Sequence, residues 1–141
     1  MEQEGGKTGR FGDGSEEVIG ACIEVHRHLG PGLLESAYEE CLAHELKLRG
    51  RAVERQVPVP LAYKGVRLDC GYRLDLLVDR RFIIEVKAVE RLGPVQTAQV
   101  LTYLKLTGLL AALIANFNAP VLKDGLRRLT LNPAPPPATQ L

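Results

Sequence analysis

The chain has 141 residues, of which 45% are hydrophobic and 25% charged, enough for one core of ordinary size and too few for two independent domains. Eighteen Lys and Arg stand against 17 Asp and Glu for a formal charge of +1, which excludes the general basic field of a non-specific polyanion binder, so any contact with nucleic acid has to come from a local patch. The longest apolar run, Leu109 to Ala115, falls far short of the roughly 20 residues that cross a bilayer, and the Gly-rich start is not a signal peptide. A cytoplasmic protein with no membrane contact is the expectation.

Residues 1–14 hold five glycines without apolar periodicity and are expected to be a flexible arm. Ser15 then reads as the cap of a first helix, with Glu16 and Glu17 in its first turn and Val18, Cys22, Val25 and Leu29 at helical spacing. Gly30-Pro31-Gly32 ends it. A second helix is predicted from Leu34 to Arg49, with Leu34, Tyr38, Cys41, Leu42 and Leu48 as its apolar stripe and Gly50 as its stop. His26, His28 and His44 lack metal-ligand spacing, and Cys22, Cys41 and Cys70 form no CxxC pair, which argues against structural zinc and a disulfide framework.

From Val53 the period changes to two. Val53 to Leu61 carries Pro58 and Pro60, which suits an edge strand. Tyr63-Lys64-Gly65 reads as a turn, followed by strands over 66–70 and 72–78, a turn at Asp79-Arg80-Arg81 and a strand over 82–88. Gly93-Pro94 breaks the chain before a helix from Val95 to Thr107. Leu109 to Phe117 is an apolar strand buried on both faces, and Leu126 to Leu131 the last strand. Residues 132–141, with Pro133, Pro135, Pro136 and Pro137, are expected to be a disordered tail, leaving a folded domain over 15–131. This order predicts a mixed α/β layer domain.

The hairpin from Tyr72 to Ala88 is the most informative stretch. A turn centred on Arg80 makes partner numbers sum to 160, so Val78, Leu76 and Leu74 face Phe82, Ile84 and Val86 on a wholly apolar side. On the other side Leu77 faces Ile83, Asp75 faces Glu85 and Arg73 faces Lys87. Opposed residues have Cβ atoms about 5 Å apart, where like charges destabilise, so the two acids have to share a proton or a cation. A hard divalent ion with oxygen ligands would satisfy both. These four residues alone leave a second reading open, a solvated patch of surface ion pairs. Glu35 in the first turn of the second helix, and Gln99 and Tyr103 one turn apart on the third, can add oxygen ligands and a positioning group to the same face.

Gly32-Leu33-Leu34-Glu35-Ser36-Ala37-Tyr38 resembles the motif of the GxxExxY proteins, a small bacterial family assigned to the PD-(D/E)xK nuclease superfamily. The resemblance runs from about residue 16 to residue 131, through Gly71 to Val78, Glu85 to Glu90, Ala98 to Tyr103 and Asn116-Phe117-Asn118. It implies a restriction-endonuclease-like core, a central mixed β-sheet flanked by helices. It also implies a nuclease that hydrolyses phosphodiester bonds with Mg²⁺ or Mn²⁺. Carried over, the metal roles fall on Asp75, Glu85 and Glu35, the lysine that positions the attacking water on Lys87, and the Gln-x-x-x-Tyr pair that orients substrate and lysine on Gln99 and Tyr103. Leu74 stands where the signature's name has proline.

Phosphate contacts are expected among Arg67, Arg73, Arg80, Arg81, Arg91, Lys105, Arg127 and Arg128, with Arg80-Arg81 at the hairpin tip the best placed. No Trp, 3 Phe and 4 Tyr leave no aromatic-rich platform for tight single-strand binding. Two alternatives remain beside the nuclease: a catalytically inactive nucleic-acid-binding or partner-binding module on the same fold, and an accessory subunit active only in an oligomer, such as a homo-oligomer.

Overall fold

The computed structural model describes residues 14–131. Most of the expected arm and all of the expected tail, residues 1–13 and 132–141, lie outside the described residues. Helix α1 (Ser15–Leu29) buries Val18, Cys22 and Val25, the stripe read from spacing. Ser15 does not cap it. Gly14 holds the cap position at φ 90°, a left-handed conformation that glycine adopts without a Cβ clash, and the Ser15 hydroxyl instead accepts a hydrogen bond from Arg128 Nε at 2.8 Å.

Helix α2 (Glu35–Leu48) follows, rotated relative to the predicted stripe. It buries Tyr38, Glu39, Leu42, Ala43 and Leu46, while Leu34, Cys41 and Leu48 are exposed. The reason is the anchor at Tyr38. Its ring stacks on Phe117 at 4.7 Å, and its hydroxyl donates to Gly30 O at 2.5 Å and accepts from Leu33 N–H at 3.0 Å, tying the interhelical loop to the core.

The strands are β1 (Val53–Pro58), β2 (Leu61–Tyr63), β3 (Val66–Leu68), β4 (Arg73–Val78) and β5 (Phe82–Lys87). Helix α3 (Pro94–Thr107) crosses to β6 (Ala111–Asn116), and a short 3₁₀ turn over Leu122–Gly125 leads to β7 (Leu126–Thr130). Five strands form one mixed sheet in the order β1-β4-β5-β6-β7. Only the β5–β6 pair, joined through α3, is parallel. β1 sits at an edge, as suits Pro58 at its end, and β2 and β3 form a separate hairpin around Lys64-Gly65.

Two apolar layers sandwich the sheet. Helices α1 and α2 cover the face carrying Leu76, Val78, Phe82, Ile84 and Val86. Helix α3 covers the face carrying Leu77, Ile83, Ala112 and Ile114. Every residue of β6 is buried, as predicted, but Leu109 and Leu110 at the head of the predicted strand lie outside it and Leu110 is exposed. This is the mixed α/β layer arrangement expected from the sequence, with the restriction-endonuclease-like division of a mixed sheet between flanking helices. No helix among the described residues is long and apolar enough to cross a membrane.

The turn into β7 leaves no space for a side chain. A Cβ on Gly125 would lie 2.4 Å from the backbone carbonyl oxygen of Asn116 and 3.0 Å from Ala119 Cβ. Gly125→Ala therefore forces backbone apart at the end of β6 and is expected to cost about 1–3 kcal/mol, read as a lower urea midpoint at unchanged m-value.

Candidate active site

Strands β4 and β5 pair at Val78/Phe82, Leu77/Ile83 and Leu76/Ile84, the register read from the sequence, and there the ladder stops. On its other side β4 pairs with β1 at Arg55/Leu76 and again at Val57/Leu74, skipping Gln56 and Asp75. Gln56 has φ 53°, a left-handed value uncommon outside glycine. The sheet thus opens around Asp75 on both sides.

Two carboxylates occupy the opening. Asp75 N–H donates to Glu85 Oε2 at 2.9 Å, and Val86 N–H donates to Asp75 Oδ2 at 2.8 Å. Each acid therefore accepts a backbone hydrogen from the opposite strand in place of a ladder carbonyl. The sequence register extends this ladder to Asp75/Glu85, Leu74/Val86 and Arg73/Lys87, and those backbone pairs do not form because the side chains stand where the ladder bonds would run. Leu74 consequently joins Leu77 and Ile83 in the layer under α3 rather than Leu76 in the opposite layer.

Burial and mutual repulsion set the charge state of the pair. Glu85 is 3% exposed, and desolvation, followed by the charge of Asp75, pushes its pKa up to about 8 against the pull of the Asp75 N–H and of Lys87. Desolvation likewise raises Asp75, opposed chiefly by the Val86 N–H, with the charge of Glu39 adding to the rise. Tyr103 is pushed up to about 12 by burial and then by the charges of Glu85 and Asp75, so its phenol is neutral.

Lys87 ends β5, and its Nζ donates to Gln99 Oε1 at 3.4 Å. The Gln99 side chain is also hydrogen-bonded to Tyr103 one turn further along α3. Asp75, Glu85, Lys87, Gln99 and Tyr103 are thereby brought into one connected group. Glu35 stands at its rim, where the first turn of α2 meets the end of β5 and its Oε2 accepts Ala88 N–H at 3.2 Å. Among the described residues no group of three or more His, Cys, Asp or Glu side chains is gathered as a ready metal cage.

Four of the candidate arginines have other partners. Arg73 is drawn back by Asp69 at 3.4 Å and the Tyr72 carbonyl at 3.0 Å. Arg80 pairs with Glu54 at 2.7 Å, and the tip it shares with Arg81 lies at the opposite end of the hairpin, about 15 Å of strand from Asp75. Arg127 donates to Thr97 Oγ1 at 2.7 Å and Arg128 to Ser15.

The description of a family model, PD-(D/E)XK nuclease superfamily, matches residues 12–129. The chain belongs to the PD-(D/E)XK nuclease superfamily. No curated protein and no solved structure matches it. Members of this superfamily generally use divalent metals and act on nucleic acid. The donor set here fits such an ion: Asp75 and Glu85 offer oxygen only, each is held by a backbone N–H, and both are strained toward protonation by burial in the absence of added positive charge. Two oxygen-only carboxylates suit a hard divalent ion.

Glu39, Gln56 and Asn116 shape this nuclease-superfamily site without having been given a role in the sequence. Glu39 is 8% exposed, one turn after Glu35, and is the α2 acid whose charge bears on both Asp75 and Glu85. Arg55 Nε donates to it at 3.2 Å, and Gln56 Nε2 donates both to it at 3.1 Å and to Asp75 Oδ1 at 3.4 Å. Spacing from Glu35 by four residues was the available signal. Asn116, the lone amide closing an apolar strand, accepts Val89 N–H at 3.0 Å and donates to Val89 O at 2.9 Å, which fixes the chain just beyond Lys87.

Proposed function

We propose that this chain is a Mg²⁺- or Mn²⁺-dependent nuclease of the GxxExxY type that hydrolyses phosphodiester bonds in DNA or RNA. The observation that carries the reading is the opening of the β4–β5 ladder around two reciprocally bonded carboxylates, the buried Glu85 and the half-buried Asp75, with Lys87 beside them. A structural ion-pair patch has no need to replace backbone ladder bonds with acids that burial holds toward the neutral form.

In this reading Asp75 and Glu85 would hold the ion, with Glu35 contributing from the rim directly or through water. The bound ion supplies Lewis-acid polarisation of a phosphate oxygen and a lowered pKa for a coordinated water. Lys87 places a compact positive charge where negative charge develops on the phosphate oxygens. Gln99 fixes Nζ by accepting its hydrogen, and the neutral Tyr103 phenol holds the Gln99 amide in turn. Water adds to phosphorus in line with the departing ester oxygen; one P–O bond forms, one breaks, and the proton lost by the water ends on the departing oxygen, giving a phosphate end and a hydroxyl end. Arg73 and the Arg80-Arg81 tip are assigned to the flanking phosphates, which requires Arg73 to exchange Asp69 for substrate.

The test is digestion of single-stranded, double-stranded and branched substrates with Mg²⁺ or Mn²⁺ and with EDTA. Metal-dependent cleavage supports the proposal, and ion binding without cleavage of any substrate favours the inactive module. Gln99→Leu removes the acceptor for Lys87 while keeping the helix, and is expected to lower kcat about tenfold or more with little change in metal affinity, measured by single-turnover cleavage and calorimetry.

A further inference from the structure

A groove of about 380 Å³ opens beside the carboxylate group, between α3 and the start of β4. Its floor is Tyr103 and Leu106, both buried; Ala98 and Thr102, one turn apart on α3, form one wall, and Leu61 of β2 and Tyr72 form the other. Small side chains on the α3 wall leave the space open. Tyr72 is 44% exposed and packs in an edge-to-face pair with Tyr103 at 6.4 Å between centroids, so the groove is lined by an exposed aromatic ring supported from below.

The groove is continuous with the site. Gln99 and Tyr103 line it and also form the connection to Lys87, and Tyr72 lies three residues before Asp75, about 10 Å along the chain. A mainly apolar slot with an exposed aromatic ring, lined by the same Gln99 that accepts from Lys87, suits one nucleotide, with its base in the slot and its phosphate toward the lysine and the acids beyond Gln99. Resting on the nuclease reading above, we propose that this groove is a base-binding subsite in which Tyr72 stacks on the unpaired base of the nucleotide at the scissile phosphate, so that the substrate is single-stranded or locally unpaired nucleic acid.

A base inside a duplex is stacked and paired and cannot enter a slot of this kind without being extruded. Near-zero net charge and a single stacking ring make this a site that selects the conformation of the substrate at the cleavage point rather than one that binds long single strands tightly.

The test is equilibrium binding of fluorescein-labelled single-stranded and duplex oligonucleotides, with Mg²⁺ present, to the full chain carrying Lys87→Ala, alongside cleavage by the wild-type chain. Adding Tyr72→Ala is expected to weaken single-strand binding about tenfold, the worth of one stacked base, while Tyr72→Phe retains it and duplex binding is unchanged in both. Ala98→Leu fills the groove from the helix without touching Tyr72 and is expected to give the same loss, which separates a blocked slot from a misfolded variant. Single-strand binding that is undetectable, or is equal with and without Tyr72→Ala, overturns the subsite even where the wild type cleaves. Tyr72-dependent single-strand binding without cleavage by the wild type overturns the nuclease reading and leaves the base site standing.

Discussion

Glu85→Ala is expected to abolish divalent-ion binding and cleavage together, whereas Lys87→Ala is expected to lose cleavage and keep ion binding. The split follows from where the two side chains stand. Glu85 is one of two acids in the opened ladder, and its loss removes half of the paired carboxylate donors and also the acceptor for Asp75 N–H. Lys87 points from the same strand toward Gln99 and contributes charge but no ligand oxygen. Removing a preorganised charge that acts on the transition state costs on the order of a hundredfold or more in kcat. Removing a like-sign neighbour of the metal should, if anything, tighten ion binding. Calorimetric titration with Mg²⁺ and Mn²⁺ beside a cleavage assay measures both. Ion binding by Glu85→Ala equal to wild type would end the metal assignment, and cleavage by Lys87→Ala equal to wild type would end the role of the lysine.

Most of the fold was legible because it rests on patterns that repeat. The β4–β5 register from Leu76 to Ile84 follows from alternation and a turn, and the buried β6 from an unbroken apolar run. The helix order and the α3 crossover follow from Gly and Pro punctuation. What alternation cannot show is where a ladder stops. The break at Asp75 depends on Gln56 adopting φ 53° in the neighbouring strand, on acids from opposite strands trading backbone hydrogens, and on Leu74 changing sides. None of these leaves a period in the sequence.

The α2 stripe held at Tyr38 and Leu42 and failed at its other three positions for a related reason. Counting apolar residues favoured Leu34, Cys41 and Leu48, all of which face outward, and passed over Glu39, which faces inward because Arg55 and Gln56 satisfy it. A buried acid can be recognised only with its partners, and these come from a strand 16 and 17 residues away in sequence. The acids and lysine of the hairpin were found because both lie on one short ribbon. Glu39, Gln56 and Asn116 were missed because their roles exist only once α2, β1 and β6 are packed against it.

Metal-free protein is expected to lose stability as pH rises from about 5 to about 9, the reverse of the common acid lability of proteins. The folded pKa of Glu85 is about 8 against 4.5 for the free side chain, so the folded state holds a proton that the unfolded chain releases at lower pH. The stability linked to that proton is fully present below 4.5 and is lost as pH rises through 8, with Asp75, also raised, acting in the same direction. The cause is desolvation first and carboxylate repulsion second, and the size is on the order of a few kcal/mol, enough to move Tm by several degrees or more in a domain of this length. Glu85→Gln keeps an oxygen to accept Asp75 N–H but cannot ionise. It should flatten the dependence and stabilise the metal-free protein at alkaline pH, and Asp75→Asn should do the same to a smaller extent. Saturating Mg²⁺ should restore the wild type at alkaline pH, since the ion replaces the proton as the partner of the pair. Thermal melts in EDTA and in Mg²⁺ across this range measure all of it. A metal-free Tm that climbs with pH, or a Glu85→Gln variant less stable than wild type at pH 9, would mean that the ionised carboxylates hold the hairpin together instead of straining it.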